Sequence, residues 1–199
     1  MDLMTLTRVN DLWNKVYPYL AAQVWEAYGR SGGEVLELGP FSGGISAALA
    51  RLHPRVRITI AAQDPAVVDY LRTQMESAGL NQKTKVLCSE LDRLGFSERQ
   101  FDMVLFRGAY FFLDEEGKIL RETHRVLRGN GLAFLGGGYG KNTPQALIDE
   151  IAGESRELND RLGRRRVTEH QIEQMARKSG LTREVAIEKR GGLWLVIRK

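Results

Sequence analysis

The sequence predicts an α/β fold, a parallel sheet with helices on both faces, and three observations carry that reading. Short β-type runs alternate with longer helical patterns five times in succession, a glycine-rich turn joins the first run to its helix, and the chain closes on two alternating runs around Arg190-Gly191-Gly192. At 199 residues and 43% hydrophobic, the chain suits one domain of ordinary size.

In chain order, Leu6 to Gly29 predicts an amphipathic helix or pair of helices carrying Trp13, Tyr17, Tyr19 and Trp25, bent or broken at Pro18. Glu34 to Leu38 is the first strand. The turn GPFSGG follows, then a helix over Ile45 to Leu52 that stops at His53-Pro54, because proline cannot continue it. Arg57 to Ala62 is the second strand, after which Asp64 and Pro65 supply the N-cap and first position of a helix to about Gly79. Lys85 to Cys88 starts a third strand and Phe101 to Phe106 forms a fourth. The apolar spacing Ile119, Leu120, His124, Leu127 predicts a helix over Glu115 to Leu127, and Gly131 to Leu135 is the fifth strand. Gln145 to Leu162 reads as a polar helix and Thr168 to Lys178 as another, with Gly180 its C-cap. Thr182 to Lys189 and Leu193 to Arg198 make an antiparallel hairpin that closes the sheet. No internal repeat or interdomain linker interrupts residues 1–199, which divide into a helical lid (1–29), a core (30–140) and a closing segment (141–199).

Composition excludes several classes. The 29 Lys and Arg against 25 Asp and Glu leave a net charge of +4, too small and scattered to imply a nucleic-acid partner. One cysteine, Cys88, allows no internal disulfide, and three dispersed histidines offer no metal-ligand cluster. No apolar stretch approaches the roughly 20 residues of a membrane span, and the first residues lack a secretory pattern. A cytoplasmic protein without membrane or nucleic-acid partner is the expectation.

Chemistry in an open α/β sheet sits outside the carboxyl ends of its strands, and the turn after Glu37-Leu38-Gly39 lies there. Its glycines let the main chain approach a ligand, and the amides at the next helix start suit a negative group. A tight strand-to-helix connection without a ligand explains the same letters.

The run VLELGPFSGGISAALA resembles the first motif of class I S-adenosylmethionine-dependent methyltransferases, acid-x-Gly-x-Gly-x-Gly. From Ser89 through Gly138 the chain is similar to small-molecule methyltransferases of the ubiquinone/menaquinone C-methylating group, and the likeness covers about residues 30–140. The resemblance implies a Rossmann-like three-layer sandwich with sheet order 3-2-1-4-5-7-6 and an antiparallel last strand. It also implies S-adenosylmethionine as cofactor and methyl transfer to a small molecule. Carried over by position, Glu37 and Gly39 match the motif's acid and first glycine, Gly43 matches its last, and Pro40 lies between. Phe41 replaces the middle glycine, and its ring either covers the methionine part of the cofactor or fills its place. Glu90 falls where the family sets an acid near the adenine, with Leu91 beside it. Arg107, Gly108 and Ala109 follow the fourth strand, where the family contacts the methionine portion.

One departure concerns the ribose. Alignment on Pro65 puts Ala62 where the family has a carboxylate, and Gln63 or Asp64 is left to reach the sugar. Asp64 is more simply explained as the helix cap before Pro65. Phe41 and Ala62 support a second hypothesis, a methyltransferase-like binding or regulatory protein with a lost or altered cofactor site.

Methyl transfer needs alignment more than side-chain chemistry, and no residue here is identified as a general base. Tyr17 and Tyr110 border the expected substrate space beneath the N-terminal helices and the 145–162 helix, although Tyr17 and Tyr19 also suit plain packing. Cys88 suits a small buried residue and the arginines at 161 and 164–166 a solvated helix end. The glycine run GGGYG at Gly136 to Gly140 either approaches a substrate or is a flexible exit from the sheet.

Overall fold

Seven β-strands, seven α-helices and a 3-10 turn at Ala109–Phe111 make up the described residues, 2–199, of the computed structural model. The strands are β1 (Gly33–Leu38), β2 (Val56–Ala62), β3 (Thr84–Cys88), β4 (Phe101–Arg107), β5 (Leu127–Gly137), β6 (Val185–Glu188) and β7 (Leu193–Arg198). They form one sheet in the order β3-β2-β1-β4-β5-β7-β6. Neighbours from β3 to β5 run parallel, and β7 is antiparallel to both β5 and β6. The expected topology is therefore the observed one.

The helices are α1 (Leu3–Leu12), α2 (Tyr17–Tyr28), α3 (Gly44–Leu52), α4 (Pro65–Ser77), α5 (Lys118–Val126), α6 (Gln145–Arg161) and α7 (Glu169–Ser179). Strand alternation sends side chains to two cores. On one face Val35, Ile58, Ile60, Met103 and Leu105 pack with α2, α3 and α4. On the other, Leu36, Leu38, Val104, Phe106 and Leu135 pack with α5 and α7. The helices α1 and α6 are tied together above the carboxyl ends of the strands, where the Trp13 indole donates to Ser155 Oγ at 2.9 Å, and α1 is tied to the turn after β1, where Asn10 Nδ2 donates to the Pro40 carbonyl at 3.4 Å.

Local signals explain most boundaries. Asp64 caps α4 by accepting the Ala66 amide at 2.9 Å, with Pro65 at the first helical position. Thr168 and Gln171 form a reciprocal capping box at α7, which Gly180 ends in the left-handed region.

Four expectations need correction. The N-terminal helices divide at residues 13–16 rather than at Pro18, which sits in the first turn of α2 where its missing amide hydrogen costs no helical bond. Helix α5 begins three residues later than predicted, because the Asp114 carboxylate accepts the amides of Lys118 (3.0 Å) and Ile119 (3.1 Å) and fixes the start there. Leu127 leaves the helix and opens β5, paired with Phe101 across a register shift. Cys88 is exposed, because β3 is the sheet's edge strand. No helix of the described residues is long and apolar enough to cross a membrane.

Candidate active site

The turn between β1 and α3 is held by Glu37. Its side chain is fully buried, and Oε2 accepts the amides of Gly43 (3.0 Å) and Ser46 (3.1 Å) while Oε1 has no partner. Burial pushes this carboxyl above its ordinary pKa, against the pull of those hydrogen bonds and of the Arg107 charge. Gly39 and Gly43 both have positive φ (+87° and +98°), a conformation that glycine adopts without strain. A Cβ on Gly39 would lie 2.6 Å from Cε2 of Phe106, so close approach at this glycine serves internal packing.

Phe41 is only 1% exposed. Its ring lies on Gly108, where a Cβ would come within 2.4 Å of Cδ2, and it meets the Phe111 ring at 5.0 Å between centroids. The ring thus closes the gap between the β1 turn and the exit of β4.

Arg107, at the end of β4, is buried rather than paired with a surface acid. Nη2 donates to Asn10 Oδ1 and to the Tyr17 hydroxyl, both at 2.9 Å, and Nε donates to the Phe41 carbonyl at 3.3 Å. Its guanidinium carbon stands 4.7 Å from the ring centroid of Trp13, 5.1 Å from Phe41 and 5.3 Å from Tyr17. Tyr17 is packed with it, and burial pushes the phenol up to about 12, so it stays protonated at neutral pH. Asn10 escaped the sequence reading. The available signal was an asparagine on the apolar face of Leu6, Val9 and Trp13.

The other expected residues form a separate ledge at the ends of β2 and β3. Gln63 Nε2 donates to Glu90 Oε2 at 2.8 Å, and both side chains are exposed. Leu91 is buried in the core shared with Leu36, Leu38 and Ala61, and Ala62 is fully buried in the opposite core. Asp64 serves as the cap of α4, where the Ala66 amide holds its carboxyl below the ordinary value.

Two cavities adjoin the turn. One of about 440 Å³ reaches Gly43 and Tyr17 but runs between α3 and α4. The other, of about 470 Å³, lies at the carboxyl ends of β4 and β5 beneath α6. It is lined by Arg107, Gly108, Tyr110 and Phe111, by Gly137 to Tyr139, and by residues of α6 together with Trp13. Gln63, Glu90 and Leu91 line neither. Tyr110 contributes a wall, but its hydroxyl donates to the Leu193 carbonyl at 2.7 Å, and burial raises its pKa. Neither tyrosine is therefore free to accept a proton. In the GGGYG run, a Cβ on Gly136 would meet the Leu193 carbonyl at 2.3 Å and one on Gly138 the Gly191 carbonyl at 2.2 Å, contacts with the closing hairpin. Gly137 alone of these three faces open space.

The sequence pattern of the methyltransferase domain family matches residues 36–135. The ubiquinone/menaquinone biosynthesis C-methyltransferase of Desulfotalea psychrophila is 27% identical over 127 residues, 61% of this chain and 50% of that protein. The matched region thus spans about half the length of this curated relative. Among solved structures, a candidate S-adenosyl-L-methionine-dependent methyltransferase from Methanococcus maripaludis superposes with a TM-score of 0.81 at 21% identity, covering 98% of this chain and 91% of that one. A SAM-dependent methyltransferase from Aquifex aeolicus follows at 0.65 and 14% identity, covering 97% and 96%. At these identities the likeness is one of fold.

Proposed function

The chain belongs to the methyltransferase domain family, and from that premise we propose that it uses S-adenosylmethionine to methylate a small molecule. When bound, this cofactor supplies a methyl group already made electrophilic by its sulfonium, so the protein's task is to bind, align and exclude water. The observation that carries the reading is one of placement. The crevice outside the parallel strands holds a polar ledge at β2 and β3 and a walled cavity at β4 and β5, with the β1 turn between them.

The fit to the cofactor is uneven along that line. Gln63 and Glu90 offer an exposed donor and acceptors suited to a nucleoside, and Glu37 keeps one buried oxygen without a partner beside Gly39, Pro40 and Gly43. Asp64 and Leu91 frame the ledge, the first from its cap and the second from the core below. The methionine end is where Phe41 and Arg107 now meet, so binding requires the Phe41 ring to withdraw from Gly108. Arg107 is held from behind by Asn10 and Tyr17, which fixes its guanidinium at the junction of cofactor turn and acceptor cavity. Tyr110 shapes that cavity without taking a proton.

The buried Phe41 ring also favours a second reading, a methyltransferase-like binding protein whose cofactor turn stays shut. Calorimetric titration with S-adenosylhomocysteine separates the two. A transferase binds the product, and Phe41→Ala binds it about tenfold more tightly or better, since the ring no longer has to leave. That substitution costs about 3–5 kcal/mol of stability, so folding is followed by circular dichroism alongside. Absence of binding by both folded proteins at millimolar ligand supports the second reading.

A further inference from the structure

The cavity at the ends of β4 and β5 is electrostatically one-sided. Three arginines line it, Arg107, Arg156 and Arg164, and no aspartate or glutamate does. Arg107 is the most unusual of them. It is 4% exposed, it makes no ion pair among the described residues, and its hydrogen bonds go only to neutral acceptors on Asn10, Tyr17 and Phe41. Those bonds use Nε and Nη2, and Nη1 donates to no acceptor among the described residues. A buried cation whose hydrogen bonds all go to neutral partners lacks a direct ion pair; the buried Glu37 carboxyl feels its charge but does not bond to it. The rings of Trp13, Tyr17 and Phe41 surround the guanidinium, with centroids 4.7, 5.3 and 5.1 Å from its carbon, and hold it in place at the cavity wall.

The other two cations point to the same ligand chemistry. Arg156, on the cavity side of α6, is exposed and has no ion-pair or hydrogen-bond partner among the described residues. Arg164 is joined to Asp160 at 2.8 Å through Nη2, yet its Nε is buried without a partner. Between the cations the walls are apolar: Trp13 and Tyr139 are stacked at 4.9 Å, Phe111 adds a third ring, and Gly137 leaves room where a side chain would stand.

We propose that this cavity takes a small organic acid with a flat apolar body, its carboxylate bound by Arg107 and Arg156 and its body laid against Trp13, Phe111 and Tyr139. Guanidinium groups match a carboxylate in both geometry and charge, and about 470 Å³ is ample for a bicyclic acid. The proposal rests on the transferase reading only in calling that acid the methyl acceptor; the binding site itself stands apart from it.

The test uses 2-naphthoate and its neutral amide, 2-naphthamide, titrated calorimetrically into the full-length chain at neutral pH. The acid should bind at least about tenfold more tightly than the amide, the difference expected for one hydrogen bond to a charged group. Arg156→Gln, a change at an exposed position, should lower naphthoate affinity by about tenfold, leave naphthamide unchanged and leave the melting temperature in place. Equal affinity for the two probes, no binding of naphthoate, or an unaltered Arg156→Gln titration would overturn the proposal. Titration with S-adenosylhomocysteine in parallel keeps the two readings distinct. Product binding without acid selectivity removes only the acid site, and acid selectivity without product binding leaves the site standing and removes the transferase.

Discussion

Glu37 and Arg107 are opposite charges brought into the interior by adjacent strands without an ion pair between them, and each has a testable consequence. For Glu37, burial raises the carboxyl pKa above its ordinary value of 4.5, so the folded chain holds this proton where the unfolded chain has released it. That contribution is complete below the unfolded value and is lost as pH rises through the folded one. Glu37→Gln keeps an oxygen to accept the Gly43 and Ser46 amides and removes the buried charge. Its melting temperature should therefore exceed that of the parent at pH 8, with the difference shrinking toward pH 4 in thermal melts followed by circular dichroism. A difference constant across that range would mean Glu37 does not titrate as described. Residue-level roles were only partly legible in the sequence. Asp64 announced itself as a cap because the residue before a helical proline has a local job, whereas the burial of Arg107 depends on Asn10 and Tyr17, distant in sequence, whose convergence no local pattern states. Cys88 is exposed against expectation, because a short strand pattern does not say whether the strand will lie inside the sheet or at its edge.

At the level of elements, strand cores and helix caps were read well, since both depend on a few neighbouring residues. The start of α5 lies later than apolar periodicity predicts, because Asp114 reaches forward four and five residues to accept the amides of Lys118 and Ile119. The glycine run after β5 illustrates a division that composition cannot make. Gly138 has φ of +155° and a Cβ there would collide with the Gly191 backbone, whereas a Cβ on Gly137 would meet nothing within 4 Å. Gly138→Ala should therefore destabilise the chain by about 1–3 kcal/mol from backbone strain, with the clash adding to it, while Gly137→Ala should stay within about 0.5 kcal/mol. Urea unfolding of the two variants reads this directly, and equal losses would mean that the hairpin contact does not constrain the turn.

For the whole molecule, the α/β class was the most legible property, because strands alternating with helices imply a parallel sheet covered on both faces, whereas the strand order was implied by the resemblance to class I methyltransferases. The crevice outside the strands follows from that topology, and so does the location of both the ledge and the cavity. Their separation by Phe41 does not, since the sequence gives the residue but not the side on which its ring lies. The transferase reading requires that ring to be a movable cover. The most direct measurement is a crystal structure grown with S-adenosylhomocysteine. The expected result has the nucleoside against Gln63 and Glu90, and the Phe41 ring lifted from Gly108. A ring still seated on Gly108 with the ledge bare, in crystals saturated with the product, would contradict it.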